Sequence, residues 1–317
     1  MELLIRRSVI ALFLGLPFFV FAGGGTMIAQ PLLSSCERYA ADSTQSQNPQ
    51  QSPQEEYVPK WYSMISNLPD DWIHFSQNTW NTDNIPVVAL VTVSTGALLA
   101  TDNQTWIASH KWYDSSAFVH HASDLIEWVG DGRPQFGLAG AFALYGFVYH
   151  DQRALRTGSE LVEAILATGG VVQLLKHVTG RQSPFLSTQP GGEWVPFPNQ
   201  LDYSRHVPAY DAFPSGHLST ALTTLTVVVE NYPETAVVLK PVGYTTMVLL
   251  GMSMVNDGIH WYSDYPLAAA LGYSFGVLVA HPVLKNETSP SEKTNSGLSL
   301  SPMLGMRGQG LMLAYAF

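Results

Sequence analysis

Tyr210-Asp211-Ala212-Phe213-Pro214-Ser215-Gly216-His217-Leu218-Ser219-Thr220, followed by an apolar run over 221–229, is the stretch that decides the reading of this chain. Proline suits the first turn of a helix, where its missing N–H costs nothing. The Ser215-Gly216 pair then presents backbone N–H groups at a helix N-terminus, and Gly216 has no Cβ to keep a ligand away. Orphan amides and the positive end of the helix dipole together favour an anion. His217 falls in the same turn, and an imidazole beside a bound oxyanion can protonate a leaving group near neutral pH. The local expectation is a phosphate-binding turn with an acid catalyst.

Working outward, the apolar runs at 85–100, 135–149, 160–175, 218–230, 236–254 and 265–280 have helical length, without sustained strand alternation or a repeat period. They predict an all-α helical bundle with about six core helices. Most are about 16 residues long and contain Thr, Ser, Gly or Pro, whereas a membrane span needs roughly 20 predominantly apolar residues. The run at 160–175 carries Glu160, Glu163 and Gln173, the pattern of an amphipathic surface helix. Mean hydropathy is +0.07. The expectation is an exported soluble or peripheral bundle in the periplasm or cell envelope, with an integral membrane protein as the alternative.

The flanks differ from this centre. Arg6 and Arg7, the apolar Val9–Phe21 and Ala22-Gly23-Gly24 read as a signal peptide or signal anchor over 1–30. Leu33-Ser34-Ser35-Cys36 has the form of a lipoprotein box, with Cys36 as the lipidated residue. A linker rich in Gln, Ser and Pro occupies 31–60, the helical domain 61–283, and a polar linker with a strand-like tail 284–317. Leu311, Leu313, Tyr315 and Phe317 alternate in that tail, as in a barrel strand or a strand packed on the domain.

Composition narrows the chemistry. A net charge of −10 and the lack of a basic run argue against a nucleic-acid partner. One cysteine excludes an internal disulfide framework and a cysteine-rich metal site. Among the ten histidines, His120, His121, His150 and His177 have no spacing that defines a metal site, so neither a metal nor a cofactor is expected.

Two further stretches complement the PSGH turn. Lys176-His177-Val178-Thr179-Gly180-Arg181-Gln182-Ser183-Pro184 closes an apolar run. Ser253-Met254-Val255-Asn256-Asp257-Gly258-Ile259-His260-Trp261-Tyr262-Ser263-Asp264 leads into the last one. His260 and Asp264, four apart, would share one face of a helix, where a carboxylate can fix the imidazole tautomer.

In order and spacing the three stretches resemble the motifs of the type 2 phosphatidic acid phosphatase superfamily, K-x6-R-P, P-S-G-H and S-R-x5-H-x3-D, over about 85–281. That superfamily includes bacterial acid phosphatases, glucose-6-phosphatase and vanadium haloperoxidases. The resemblance implies that Lys176, Ser215 and Gly216 hold phosphate oxygens and that His217 protonates the leaving group. It implies that His260, oriented by Asp264, attacks phosphorus to give a phosphohistidine without a metal. The substrate would be a phosphorylated small molecule or a lipid phosphate, with membrane association. This chain departs at two positions, with Ser183 and Met254 where the family has arginine. Arg181, two residues before Ser183, points to the same side on an extended segment and is expected to compensate as a phosphate ligand with Ser183. The alternative is a non-catalytic phosphate-binding protein of the same fold.

Overall fold

The computed structural model describes residues 62–281 and the strands at 298–305 and 308–315. The signal, Cys36 and both polar linkers lie outside the described residues. Residues 62–281 are all-α, as the sequence predicts.

The helices are α1 (Ser63–Ser66), α2 (Leu68–Thr79), α3 (Ile85–Leu99), α4 (Asp102–Asp114), α5 (Ala117–Gly130), α6 (Gly132–Tyr149), α7 (Gln152–Thr179), α8 (Gln200–Arg205), α9 (Gly216–Asn231), α10 (Ala236–Asn256) and α11 (Tyr265–Ala280). Each of the six apolar runs lies in one of α3, α6, α7, α9, α10 and α11. The strands β1 (Leu298–Gly305) and β2 (Gly308–Tyr315) pair antiparallel as a hairpin, Leu298 opposite Tyr315.

The core is a slab of α7, α9 and α11, with α6 laid against α7 and α10 against α5 and α9. Small residues allow the closest approaches. A Cβ on Gly158 of α7 would lie 2.9 Å from the Ala139 carbonyl oxygen of α6, so the two backbones meet there without a side chain between them. Leu161, Ala164, Val227 and Val279 close one apolar cluster, and Ala167, Val172, Leu271 and Phe275 another.

α7 corrects the surface-helix expectation. Glu160 and Glu163 are each only 4 % exposed. Asn231 and Arg156 meet Glu160, and Asn67 donates to both oxygens of Glu163 at 3.1 Å. A buried carboxylate is tolerated when its lone pairs are satisfied. The pattern of charges therefore marked interior locks rather than a wet face.

The expected soluble or peripheral bundle is also revised. Three helical segments, Thr82–Leu99, Gln152–Thr179 and Pro233–Asn256, are long and apolar enough to cross a membrane. α3 has no buried residue, and Val93 on it is 68 % exposed. On α10, Val237 is 85 % and Val238 63 % exposed. Apolar faces this continuous are costly in water and cost nothing in lipid. The run-length criterion missed them because α7 and α10 extend past their most apolar stretches.

Candidate active site

The three motifs meet at one end of the bundle. α7 and α10 deliver their C-termini there, while α9 and α11 begin there. Ser215 is the N-cap of α9, accepting from Leu218 N at 3.3 Å. Pro214 precedes the cap rather than opening the helix. Ser215 N donates to the Asp264 carbonyl at 3.2 Å, which ties the turn to the start of α11. The first-turn amides left for a ligand are therefore those of Gly216 and His217, with the Ser215 hydroxyl beside them. A Cβ on Gly216 would sit 3.6 Å from Lys176 Nζ, so the lysine ammonium overlooks this turn directly.

The two histidines face each other. His217 Nδ1 lies 3.2 Å from His260 Nε2, with the rings edge to face. His260 Nδ1 is 2.8 Å from the Ala212 carbonyl oxygen. A carbonyl only accepts, so Nδ1 carries the proton and Nε2 presents its lone pair toward His217. Burial, with Lys176 close by, pushes His260 down to about 3. His217 is likewise pushed down to about 3 by burial, then by His260 and Lys176. Both rings are neutral at pH 7 in this state.

Asp264 does not hold His260 as the sequence suggested. His260 lies in a loop and Asp264 in the single 3₁₀ turn Tyr262–Asp264 that opens α11, so they do not share a helix face. Asp264 Oδ2 is 3.6 Å from His260 Nδ1, beyond hydrogen-bond reach, and accepts instead from Trp261 N at 2.7 Å. Ala212 fixes the imidazole tautomer, and Asp264 fixes the loop that carries it.

Arg181 is the larger departure. It is fully buried and not free to meet phosphate oxygens with its terminal nitrogens. Nη1 donates to Asp264 Oδ1 at 2.5 Å and Ser263 Oγ at 2.6 Å. Nη2 donates to Asp102 Oδ2 at 2.7 Å and the Gly191 carbonyl at 2.9 Å. The guanidinium stacks against Trp194 and Trp261, 4.7 and 5.2 Å from their ring centres. Asp102, from the first turn of α4, also accepts from Ser263 N and Ser263 Oγ. Burial raises Asp102, opposed by Arg181, and raises Asp264 to about 6, again opposed by Arg181. The arginine is the keystone of a dry network beneath the site.

At the two positions where the motifs have arginine, the structure places quite different surroundings. Ser183 is buried and donates its amide to the Pro208 carbonyl at 3.0 Å. Met254 is fully buried in an apolar cluster with Leu218, Ala221, Leu250 and Ala268. Lys176, its side chain 6 % exposed, is paired with Asp211 Oδ2 at 3.2 Å. Asp102 and Asp211 were missed by sequence reasoning. Asp211 stood inside the quoted turn, but nothing in its spacing marked a partner for Lys176, and Asp102 reaches the site from 79 residues away along the chain.

Of the histidines set aside, His177 stacks on Tyr203 at 4.1 Å. His120 and His121 do have a companion on α5, for their ligand atoms and those of Asp124 lie within 4.8 Å of one another. All three are exposed. The helical i, i+3 and i, i+4 spacing creates the group, and it was overlooked in the sequence.

Residues 158–287 match the model of the PAP2 superfamily, a span that contains all three motifs. The resemblance read from those motifs holds over this segment. No curated protein sequence matches the chain. Among solved structures, the chain is similar to a transmembrane PAP2-type phosphatidylglycerolphosphate phosphatase from Bacillus subtilis, at 15 % identity and a TM-score of 0.43, covering 73 % of this chain and 100 % of that one.

Proposed function

We propose that this chain, with a PAP2-superfamily segment over 158–287, is a membrane-associated phosphatase that hydrolyses a phosphomonoester or a lipid (pyro)phosphate through a phosphohistidine on His260. The observation that carries the reading is the 3.2 Å approach of His217 Nδ1 to His260 Nε2 beside Lys176 and the first turn of α9. A neutral imidazole whose Nδ1 proton is held by a carbonyl is a nucleophile at Nε2.

Substrate phosphate enters between the two rings, its oxygens taken by Lys176, the Gly216 and His217 amides and the Ser215 hydroxyl. Its negative charge offsets the burial that keeps His217 neutral and draws a proton onto that ring. His260 Nε2 bonds to phosphorus as the ester P–O bond breaks, and His217 gives its proton to the leaving oxygen. In the second half, water attacks phosphorus, the P–N bond breaks, and His217 accepts the water proton. Ser183 is proposed as a further phosphate ligand on the family position alone. Asp264 and Arg181 act through the loop, not on phosphate. No metal takes part in these steps.

A second reading, a non-catalytic protein that binds phosphate or lipid phosphate, is favoured by the pairing of Lys176 with Asp211 and the apolar setting of Met254. Phosphate release by the full chain in detergent, on p-nitrophenyl phosphate, phosphatidic acid and a polyprenyl pyrophosphate with EDTA present, separates the two. Release that disappears in His260→Ala, with an acid-labile phosphoenzyme, is expected of the hydrolase. No release above the variant on any substrate leaves the binding protein.

A further inference from the structure

Among the described residues, the groups around the histidine pair carry no net positive charge. Lys176 supplies one, and Asp211 Oδ2 cancels it from 3.2 Å. The remaining nearby cation, Arg181, is held by Asp102 and Asp264. His217 and His260 both feel the Asp211 carboxylate. Asp131, another carboxylate whose charge reaches His217, is already bridged to Arg133. Phosphate sites ordinarily surround the dianion with cations and bidentate donors. This one offers a single lysine and places an anion against it.

Asp211 is fixed at its backbone. It bridges to Arg181, and the next residue donates Ala212 N to the Arg181 carbonyl at 2.9 Å while Ala212 O holds His260. The carboxylate therefore cannot retreat with its backbone without disturbing the nucleophile. Its side chain is 26 % exposed and can turn outward only by giving up Lys176.

We propose that Asp211 is a specificity-determining counter-charge that holds Lys176 beside the histidine pair and selects singly charged phosphoryl groups, the charge state of a phosphomonoester that keeps one proton, over doubly charged ones. The inference rests on the reading of this pocket as a phosphoryl site. A monoanion exchanges for the carboxylate at Lys176 with little change in local charge. A dianion adds a second negative charge within a few ångströms of Asp211, where each added unit is strongly repelled in a partly dry site.

Calorimetric titration of the full chain in detergent at pH 8 tests this, with inorganic phosphate as the dianion and diethyl phosphate as the monoanion. In Asp211→Asn, inorganic phosphate should bind at least about tenfold tighter and diethyl phosphate less than about threefold tighter. Lys176→Met in the same background should erase the gain. Asp211→Ser, smaller and also neutral, should reproduce the selectivity change. Equal tightening of both anions, or unchanged or weaker phosphate binding, overturns the proposal. If Asp211→Asn and the unaltered chain bind phosphate alike while His260-dependent release persists, the counter-charge falls and the hydrolase stands. If no variant binds either anion, the counter-charge falls; if none releases phosphate either, the hydrolase falls with it.

Discussion

Replacing Arg181 by methionine removes the cation shared by Asp102 and Asp264, both of which are fully buried. Removing one partner of a buried ion pair costs roughly 3–5 kcal/mol, because the remaining charge is left without compensation. Two carboxylates are stranded here, but each can take up a proton, and Asp264 already sits near 6. Those opposing effects keep the expected loss within about 3–5 kcal/mol at pH 8. At about 2–4 °C per kcal/mol for a domain of this size, the melting temperature should fall by about 6–20 °C. Protonation relieves the stranded acids, so the gap between the unaltered chain and Arg181→Met should narrow as pH falls from 8 toward 5. Thermal unfolding in detergent, followed by circular dichroism across that pH range, measures both effects. A variant that melts with the unaltered chain at every pH but no longer binds inorganic phosphate would refute this reasoning and return Arg181 to the phosphate.

Two other perturbations probe the same end of the bundle. Met254→Arg, which would restore a motif arginine, should instead destabilise the fold by several kcal/mol, since it places a charge among Leu218, Ala221, Leu250 and Ala268; a soluble, well-folded variant with tighter phosphate binding would show that the side chain reaches the pocket. His217 and His260 are held near 3 when folded, against 6.5 for an unhindered imidazole, so the unfolded chain binds more protons below 6.5. Stability should therefore be lost as pH falls from about 6.5 toward about 3, by up to about 1.4 kcal/mol per pH unit for each ring, and unfolding free energies of His217→Gln should show a shallower slope; equal slopes would mean that the ring is not shielded.

The architecture was legible wherever apolar runs declared it, as at α9 and α11, whose limits lie within about two residues of the runs read from sequence. α4 was not, because DNQTWIASHKWYD mixes polar and aromatic residues with no clean stripe, yet it brings Asp102 under the site. Motif spacing brought Lys176, Ser215, Gly216, His217 and His260 to one place, since each lies at or near the end of a helix that the pattern located. It failed for Arg181, where an i, i+2 rule gives a side of the chain but says nothing of what awaits there. Two buried acids and two tryptophans decided the matter, and all four lie far from it in sequence or across a loop. Glu160 and Glu163 failed for a related reason: a carboxylate reads as solvent-facing unless its distant partners, here Asn231 and Asn67, are known.

The polarity of the helices has one more implication. α7 and α10 run toward the pocket, and α9 and α11 run away from it, so α11 ends at the opposite pole, where His281 meets Glu230 and Arg153 meets Glu234. Under the proposed function, insertion across a bilayer would leave the histidine pair at one face only, so a lipid phosphate in the opposite leaflet would first have to be flipped. On that proposal, the orientation of insertion would choose the pool of lipid the site can draw on, before any side chain inspects a headgroup.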